Sequence, residues 1–196
     1  MGKSGDGRRR RITTARKTMR DELRTERFLL RRWRESDRAS FRNLNADQRV
    51  MEFFPEPLDP VASDALFDRA REHFNRHGFG PFAAELIETG AFTGFIGLSV
   101  PNFDAHFMPA VEIGWRLAFE HWGKGLATEG ARAALDYGFN ALGLEQIVSF
   151  TVPANLRSRR VMERLGMTHD PRDNFDHPNL PEGHPLRRHV LYRLKR

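Results

Sequence analysis

A glycine turn between two differently patterned runs is the feature that most constrains the fold of this chain. Residues 110–117 have the composition of a strand, and the segment from residue 125 onward has the apolar face of a helix. The sequence Trp-Gly-Lys-Gly-Leu-Ala-Thr joins them at residues 122–128. Backbone amides at a helix N-terminus have no intrahelical acceptor, and the helix dipole adds partial positive charge there. The turn therefore predicts a site for a phosphate or diphosphate group.

The spacing within this turn argues against two familiar nucleotide sites. Gly123 and Gly125 permit positive φ angles and a close approach of the backbone to an anion, and Ala127 keeps the entry narrow. The dinucleotide fingerprint does not fit, because its third glycine position is Thr128. The nucleoside-triphosphate loop does not fit either, because Lys124 is followed by glycine rather than Ser or Thr. Hydride and phosphoryl transfer are therefore disfavoured, while a purely structural turn stays an alternative.

Length and composition narrow the class of protein. The 196 residues suit one domain with a substantial core, and the chain has no cysteine. Disulfides, thiolate metal sites and a covalent thiol nucleophile are therefore excluded. We find neither an apolar stretch long enough for a membrane span nor the pattern of a secretory signal. The sequence predicts a cytoplasmic protein with no membrane partner.

The net charge of +6 is concentrated at the N-terminus. Residues 1–20 contain eight basic residues and one acidic residue, so the remaining chain is nearly neutral. We interpret residues 1–22 as a disordered basic tail, with nonspecific contact to nucleic acid as the alternative. Nothing in the rest of the chain continues the basic patch, so no other nucleic-acid contact is expected.

The order of the remaining patterns predicts an α/β (α+β) fold in a single domain, residues 23–196. The expected strands are residues 28–33, 82–87, 92–100, 110–117, 146–152 and about 189–194. The expected helices are a short one through residue 44, a longer one over 59–78, one over 125–141, and one from Asn155 to residue 165. We expect one mixed, mostly antiparallel sheet of about six or seven strands flanked by helices.

Several ordered motifs resemble the GNAT superfamily of acetyl-CoA-dependent N-acetyltransferases. They are Thr25 to Arg31, Phe95-Ile96-Gly97, Glu112 to Leu117, Trp122 to Glu129, and Asn155-x-x-Ser158 followed by Leu165-Gly166-Met167. The resemblance covers roughly residues 23–194. It points to the branch that includes enzymes acetylating the N-terminal amines of ribosomal proteins.

The resemblance implies a binding mode for acetyl-CoA or free coenzyme A, with no metal. The turn would hold the pyrophosphate, and a splayed pair of parallel strands, 110–117 and 146–152, would admit the pantetheine arm. A backbone amide near Trp115 to Leu117 would stabilise the oxyanion. The implied cofactor-binding residues are Trp115, Leu117, Trp122, Gly123, Lys124, Gly125, Leu126, Ala127, Thr128, Asn155 and Ser158.

Acetyl transfer to an amine also requires a proton acceptor, because a lysine amine has a pKa of about 10.4 and an N-terminal amine about 8. Glu112 is the first candidate base, unless it only pairs with an arginine on the sheet face. His177, with Asp176, is the second. Many family members carry a tyrosine as general acid seven residues after the helix-capping asparagine, and that position is Met162 here. Ser158 remains the nearest substitute, or else it bonds back to a helical carbonyl.

Three questions stay open at this stage. The acceptor is either a protein N-terminus or a small-molecule amine, and the assembly is either a monomer or a homodimer. A non-catalytic acyl-CoA sensor with the same fold is an alternative function. A metal-dependent enzyme is a weaker alternative, since its candidate ligands lack ligand-like spacing. These ligands are His169, Asp170, Asp173, Asp176, His177 and His184.

Overall fold

The computed structural model describes residues 19–196, so most of the predicted basic tail lies outside the described residues. This range contains nine strands and four α-helices. The strands are β1 (Glu22–Arg24), β2 (Phe28–Arg31), β3 (Pro81–Leu86), β4 (Phe92–Ser99), β5 (Glu112–Leu117), β6 (Gln146–Thr151), β7 (Thr168–His169), β8 (Phe175–Asp176) and β9 (Arg188–Lys195). The helices are α1 (Arg38–Ala46), α2 (Pro60–His77), α3 (Leu126–Asp136) and α4 (Leu156–Arg164).

The strands form one sheet in the order β1-β2-β3-β4-β5-β6-β9-β7, and β8 also pairs with β9. The pairing of β5 with β6 is parallel, whereas the other pairings are antiparallel. The prediction of a mixed, mostly antiparallel sheet flanked by helices is confirmed. The described residues contain more strands than the expected six or seven. The additional ones, β1, β7 and β8, have only two or three residues each and were not predicted. Strands this short leave no alternation pattern in the sequence.

The parallel pair β5–β6 separates soon after it begins. Only Glu112 and Val148 are in register, whereas β4 and β5 share six register pairs. The Val148 amide donates to the Val111 carbonyl at 2.9 Å, and the Ser149 hydroxyl donates to the Ile113 carbonyl at 2.9 Å. The rest of β5 has no register partner in β6, which confirms the predicted splay and leaves a gap in the middle of the sheet.

Small side chains bring α3 close to one face of the sheet. Ala131 and Ala134 are fully buried. A Cβ added to Gly130 would lie 2.4 Å from Cδ1 of Ile96, so no larger residue fits there without a shift. The segment predicted as one helix to residue 141 ends as an α-helix at Asp136 and continues as a π-helical turn, Tyr137–Ala141. This close packing fixes the N-terminus of α3 beside the end of β5.

Aromatic residues cover the opposite face of the sheet. Trp33 packs edge-on against Phe41 of α1 and Phe67 of α2, with ring centroids 4.9 and 5.2 Å apart. A second apolar cluster covers the β6–β9 half, where Phe107 of the loop before β5 packs on Phe175 at 4.9 Å. The splay of β5 from β6 lies between these two covered regions.

No helix in residues 19–196 has both the length and the apolar character needed to cross a bilayer. The longest, α2, has 18 residues and carries several charged side chains. The cytoplasmic location stays a prediction.

Candidate active site

The glycine turn has the backbone conformation that its sequence predicts. Gly123 and Gly125 have φ angles of 73° and 76°, in the left-handed region that side chains disfavour. No atom lies within 4 Å of a Cβ built on Gly123, so it is conformation rather than crowding that requires glycine there. Gly125 is the N-cap of α3 and provides no side-chain acceptor. The N-cap residue therefore gives the first amides of α3 no side-chain acceptor.

Several donors gather at this helix end. The first helical hydrogen bond runs from the Glu129 amide to the Gly125 carbonyl at 3.0 Å. The amides of Leu126, Ala127 and Thr128 precede that bond and so have no intrahelical acceptor. The hydroxyl of Thr128 is also buried without a hydrogen-bond partner in the described part of the chain. Such a set fits a ligand with several acceptor oxygens, as in a diphosphate.

A clamp of three side chains, Thr25, Arg27 and Glu129, supports the turn from outside. The Glu129 carboxylate accepts from the Thr25 hydroxyl at 2.6 Å, and from the Arg27 amide and Nε at 2.8 and 2.6 Å. Arg27 also donates to the Lys124 carbonyl at 2.9 Å. Burial opposes ionisation of Glu129, but the bonds from Thr25 and Arg27 outweigh it and lower the pKa.

Sequence reasoning did not find Arg27, because the arginine and Glu129 are 102 positions apart and no local pattern joins them. A Cβ on Gly125 would lie 3.8 Å from the Arg27 guanidinium. The clamp therefore adds a cation beside the turn as well as rigidity.

Trp122 fixes the start of the turn to the end of β5. Its indole nitrogen donates to the Leu117 carbonyl at 2.7 Å. The guanidinium of Arg157, at the start of α4, lies 4.8 Å from the ring centre and pairs with Glu52. The Trp122 ring thus packs between the end of β5 and the start of α4, and it does not occupy the backbone amides of the turn.

The free edge of β5 presents backbone groups to the splay. The carbonyls of Val111 and Ile113 face β6, because they accept from Val148 and Ser149. Alternate residues of a strand direct their N–H and C=O groups to the same edge. The amides of Trp115 and Leu117 therefore face the gap beyond the last register pair. This is the edge at which donors were expected.

Asn155 closes the other side of the splay. Its side-chain oxygen accepts from the Ser158 amide at 3.1 Å, which confirms the predicted helix cap. Its nitrogen donates to the Thr151 hydroxyl at 3.1 Å and so ties α4 to the end of β6. Ser158 is partly buried on the side of α4 that carries the fully buried Met162. The cofactor contacts of Asn155 and Ser158 stay predictions.

Glu112 lies in the one register pair that joins β5 to β6, just before the two strands separate. Glu112 is partly buried, and desolvation raises the pKa of its carboxyl to about 8, although the Ser99 hydroxyl acts in the opposite direction. A Cβ added to Gly114 would lie 3.8 Å from Oε1 of Glu112, so the carboxylate lies along the face of β5 toward Gly114. Within residues 19–196 it forms no ion pair with an arginine. A carboxylate in this state can accept a proton near neutral pH.

His177 lies on the other side of the gap, over β6. Its ring centre is 6.2 Å from that of Phe150, and burial followed by the charge of His189 lowers its pKa. The Asn179 amide donates to Nδ1 at 3.3 Å, so the neutral ring carries its proton on Nε2. Asp176 pairs with Arg188 at 3.1 Å. Nε2 of His177 is therefore a donor in the neutral ring.

Arg116 is a second residue that the sequence did not single out. It shares the face of β5 that carries Glu112 and Gly114, because side chains alternate along a strand. Its guanidinium donates to Asn45 at 2.5 Å and stacks on Phe54 at 4.2 Å. Desolvation lowers the pKa of Arg116 to about 10. Its partners lie 71 and 62 positions away in the sequence, which is why no local pattern showed the cluster.

A groove of about 720 Å³ adjoins the glycine turn along the outer side of α3. It is lined by Thr25, Gly125, Thr128, Glu129, Arg132, Ala133, Asp136 and Arg164. The groove reaches Gly125 and Thr128 at the N-terminus of α3, but no residue of β5 or β6 lines it. It therefore offers room for the outer part of a bound nucleotide rather than for the reacting groups.

The acidic residues proposed as metal ligands are bound to arginines. Asp170 pairs with Arg172 at 2.6 Å, and Asp173 pairs with Arg193 at 2.6 Å. In the described range no three or more His, Asp or Glu side chains form a group that could hold a metal ion. The segment gives the metal hypothesis no geometric support.

Comparison with known proteins gives consistent results. A family profile described as an acetyltransferase (GNAT) domain matches residues 27–168. The uncharacterized protein YkkB of Bacillus subtilis (strain 168) is 34% identical over 147 residues, 74% of this chain and 84% of that protein.

Two solved structures show the same fold. The acetyltransferase from Agrobacterium tumefaciens str. C58 has a TM-score of 0.72 and 31% sequence identity, covering 89% of this chain and 94% of that chain. Mycobacterium smegmatis RimJ, in complex with CoA-disulfide, has a TM-score of 0.69 and 25% identity, covering 89% and 85%.

Proposed function

Because this chain belongs to the GNAT acetyltransferase family, an acetyl-CoA-dependent group, we propose that it transfers an acetyl group to a primary amine by direct attack in a ternary complex. The acceptor is a protein N-terminus or a small-molecule amine. One observation supports the proposal most strongly. The N-terminus of α3, with its unpaired amides, and Glu112, with its raised pKa, lie at opposite ends of the same splayed strand, β5. This arrangement can hold a donor and deprotonate an acceptor along one edge.

The residues of the turn fit the diphosphate of coenzyme A. The amides of Leu126, Ala127 and Thr128, the buried Thr128 hydroxyl and the left-handed glycines supply donors without side chains in the way. Bound acetyl-CoA supplies an acetyl group activated as a thioester. Trp122 and Lys124 contribute main-chain positions to the turn, with the Lys124 carbonyl held by Arg27.

The edge of β5 would receive the reactive end of the donor. The amides of Trp115 and Leu117 face the gap and can donate to a carbonyl oxygen that gains negative charge. Asn155 and Ser158 border the gap from α4 and can bond amide groups of a pantetheine arm. Ser158 supplies a hydroxyl that can donate to the leaving sulfur, since Met162 has no proton to give.

We assign proton removal to Glu112 rather than to His177. With a pKa of about 8, Glu112 is partly ionised at neutral pH and becomes a base of matched strength for an amine. The neutral His177 ring carries its proton on Nε2, so that nitrogen donates and suits the positioning of an acceptor. The two residues flank the same gap and take different roles.

The direct test is release of free coenzyme A thiol from acetyl-CoA in the presence of a panel of amines. We expect thiol release that depends on the amine, with an acetylated amine identified by mass spectrometry. Binding of acetyl-CoA without thiol release for any amine would contradict the proposal. That result would instead indicate an acyl-CoA sensor.

A further inference from the structure

We propose that Arg116 is a carboxylate subsite, so that the acceptor amine also carries a carboxylate several bonds away. This inference rests on the proposed function, because it names the acceptor class of the same site. It depends on three features of the described structure: an incompletely partnered guanidinium, a neutral scaffold that holds it, and its place on the face of Glu112.

The side chain of Arg116 is partly buried, and its guanidinium is incompletely partnered. Its Nε atom is buried without a hydrogen bond, and one terminal nitrogen donates to the neutral side chain of Asn45. No carboxylate within residues 19–196 forms an ion pair with it. Buried charges in proteins are ordinarily paired, because desolvation of an unpaired ion is costly.

Arg31 shows what the same fold does with a structural arginine. It is buried, with 6% of its side chain exposed, and it pairs with Asp37 at 2.7 Å and Glu85 at 2.6 Å. The described part of the fold therefore supplies two carboxylates to the guanidinium of Arg31 and none to that of Arg116. The missing partner of Arg116 is consistent with an anion that arrives with the ligand.

Neutral groups hold Arg116 ready for such an anion. Its guanidinium lies 4.2 Å from the ring centre of Phe54 and 5.5 Å from that of Phe95, in the range of cation–π attraction. Asn45 is itself fixed, since its side-chain nitrogen donates to the buried Ser63 hydroxyl at 2.9 Å. With a pKa of about 10, the group keeps its positive charge at neutral pH.

The position of Arg116 sets the length of the acceptor. Glu112 and Arg116 lie on one face of β5, four residues apart, or about 13 Å along an extended strand. The two side chains shorten that separation, because the Glu112 carboxylate lies toward Gly114. An amine at Glu112 and a carboxylate at Arg116 are therefore separated by several bonds. Two sources fit this chemistry: an ω-amino acid, or a peptide with an acidic residue near its N-terminus.

The experiment compares matched acceptors that differ only in the carboxylate. One arm uses ω-amino acids of increasing length, each paired with its primary amide, and the other uses peptides with Glu or Gln at the second position. We expect the acid to exceed its neutral partner in kcat/KM by about 10- to 100-fold, the range for a hydrogen bond to a charged group. The arm that shows the preference identifies the source.

Variants of Arg116 separate recognition from folding. Arg116→Gln should remove the preference for the acid, mainly through KM, and leave acetyl-CoA affinity unchanged. Arg116→Lys, which keeps the charge, should retain part of it. Arg69→Gln, on an exposed part of α2, is the matched control and should keep the full preference. Calorimetric binding of the acid in the presence of saturating coenzyme A gives a readout that does not depend on turnover.

The outcomes are distinguishable. Equal use of acid and amide by the wild-type protein, or a preference that persists in Arg116→Gln, would overturn the subsite while acetyl transfer still stands. Binding of acetyl-CoA with no turnover of any amine would overturn the proposed function and the subsite together.

Discussion

Two carboxylates on either side of the glycine turn have opposite surroundings. Glu129 accepts three hydrogen bonds from Thr25 and Arg27, and these outweigh burial and lower its pKa. Glu112 has no arginine partner in the described range, and burial raises its pKa to about 8. One carboxylate is committed to holding the turn in place. The other keeps its capacity to take up a proton.

Two arginines repeat this contrast. Arg31 is paired with Asp37 and Glu85, whereas Arg116 is held by Asn45 and aromatic rings. The charge of Arg31, which joins β2 to neighbouring elements, is paired with carboxylates of the protein itself. The charged side chains on the face of β5 that carries Glu112 are left incompletely partnered. Full pairing therefore distinguishes a structural charge from one that is expected to meet a ligand.

The largest effect is expected when the unpaired carboxylate is neutralised. Glu112→Gln should lower kcat/KM for the amine by about 10²–10⁴, the usual contribution of a general base, without changing acetyl-CoA affinity. In the wild-type protein kcat/KM should rise through pH 8 as Glu112 ionises, and this inflection should disappear in the variant. Glu145→Gln, at an exposed position, is the control. An unchanged pH profile in Glu112→Gln would assign the base elsewhere.

The two arginines should differ in their effect on folding. Arg31→Met removes the guanidinium from buried Asp37 and partly buried Glu85, which keep only donors of Arg34 in the described range, and should reduce the free energy of unfolding by about 3–5 kcal/mol. Arg116→Met breaks one hydrogen bond to a neutral amide and should cost about 1 kcal/mol. Urea denaturation of both variants measures the difference. Equal losses would remove the distinction between structural and functional charge.

The smallest effects concern stability and pH, and the two carboxylates should give opposite signs. Raising the Glu112 pKa above its ordinary value of 4.5 contributes stability at low pH that is lost as the pH rises through about 8. Glu112→Gln should therefore be more stable than the wild type above pH 8. Because the pKa of Glu129 is lowered, its ionised form contributes stability at pH values above the ordinary glutamate pKa, and this contribution is lost in acid.

Glu129→Gln should accordingly be less stable than the wild type at neutral pH, by about 1–2 kcal/mol, because it loses a charged acceptor. The deficit should shrink as the pH falls. Denaturation midpoints of both variants across a pH series provide the measurement. The same sign for both variants at alkaline pH would contradict the contrast.

Local features of the site could be predicted from the sequence. The glycine turn, the cap at Asn155 and the strand that carries Glu112 each depend on residues close together in the chain, and the structure has all three. The splay followed from the resemblance to a family. Strands β7 and β8 were missed because two residues do not make a period.

Contacts between distant residues could not be predicted. Arg27 meets Glu129 across 102 positions, and Arg116 meets Asn45 across 71. Their roles depend on which strands are neighbours and on how deeply each group is buried. The pKa of Glu112 likewise depends on packing from other elements. A single sequence shows a glutamate in a strand, and only the fold shows how it is solvated.

The most direct test of the account is a calorimetric titration of acetyl-CoA into the wild-type protein, Gly125→Glu and Gly143→Glu. Both glycines have left-handed φ angles, 76° and 69°, and lie near opposite ends of the same helical segment, so the backbone strain is matched. Only position 125 places a carboxylate where a diphosphate is expected. We expect saturable binding by the wild type and Gly143→Glu and none by Gly125→Glu. Unchanged affinity in Gly125→Glu, or no heat from the wild type with acetyl-CoA or free coenzyme A, would contradict it.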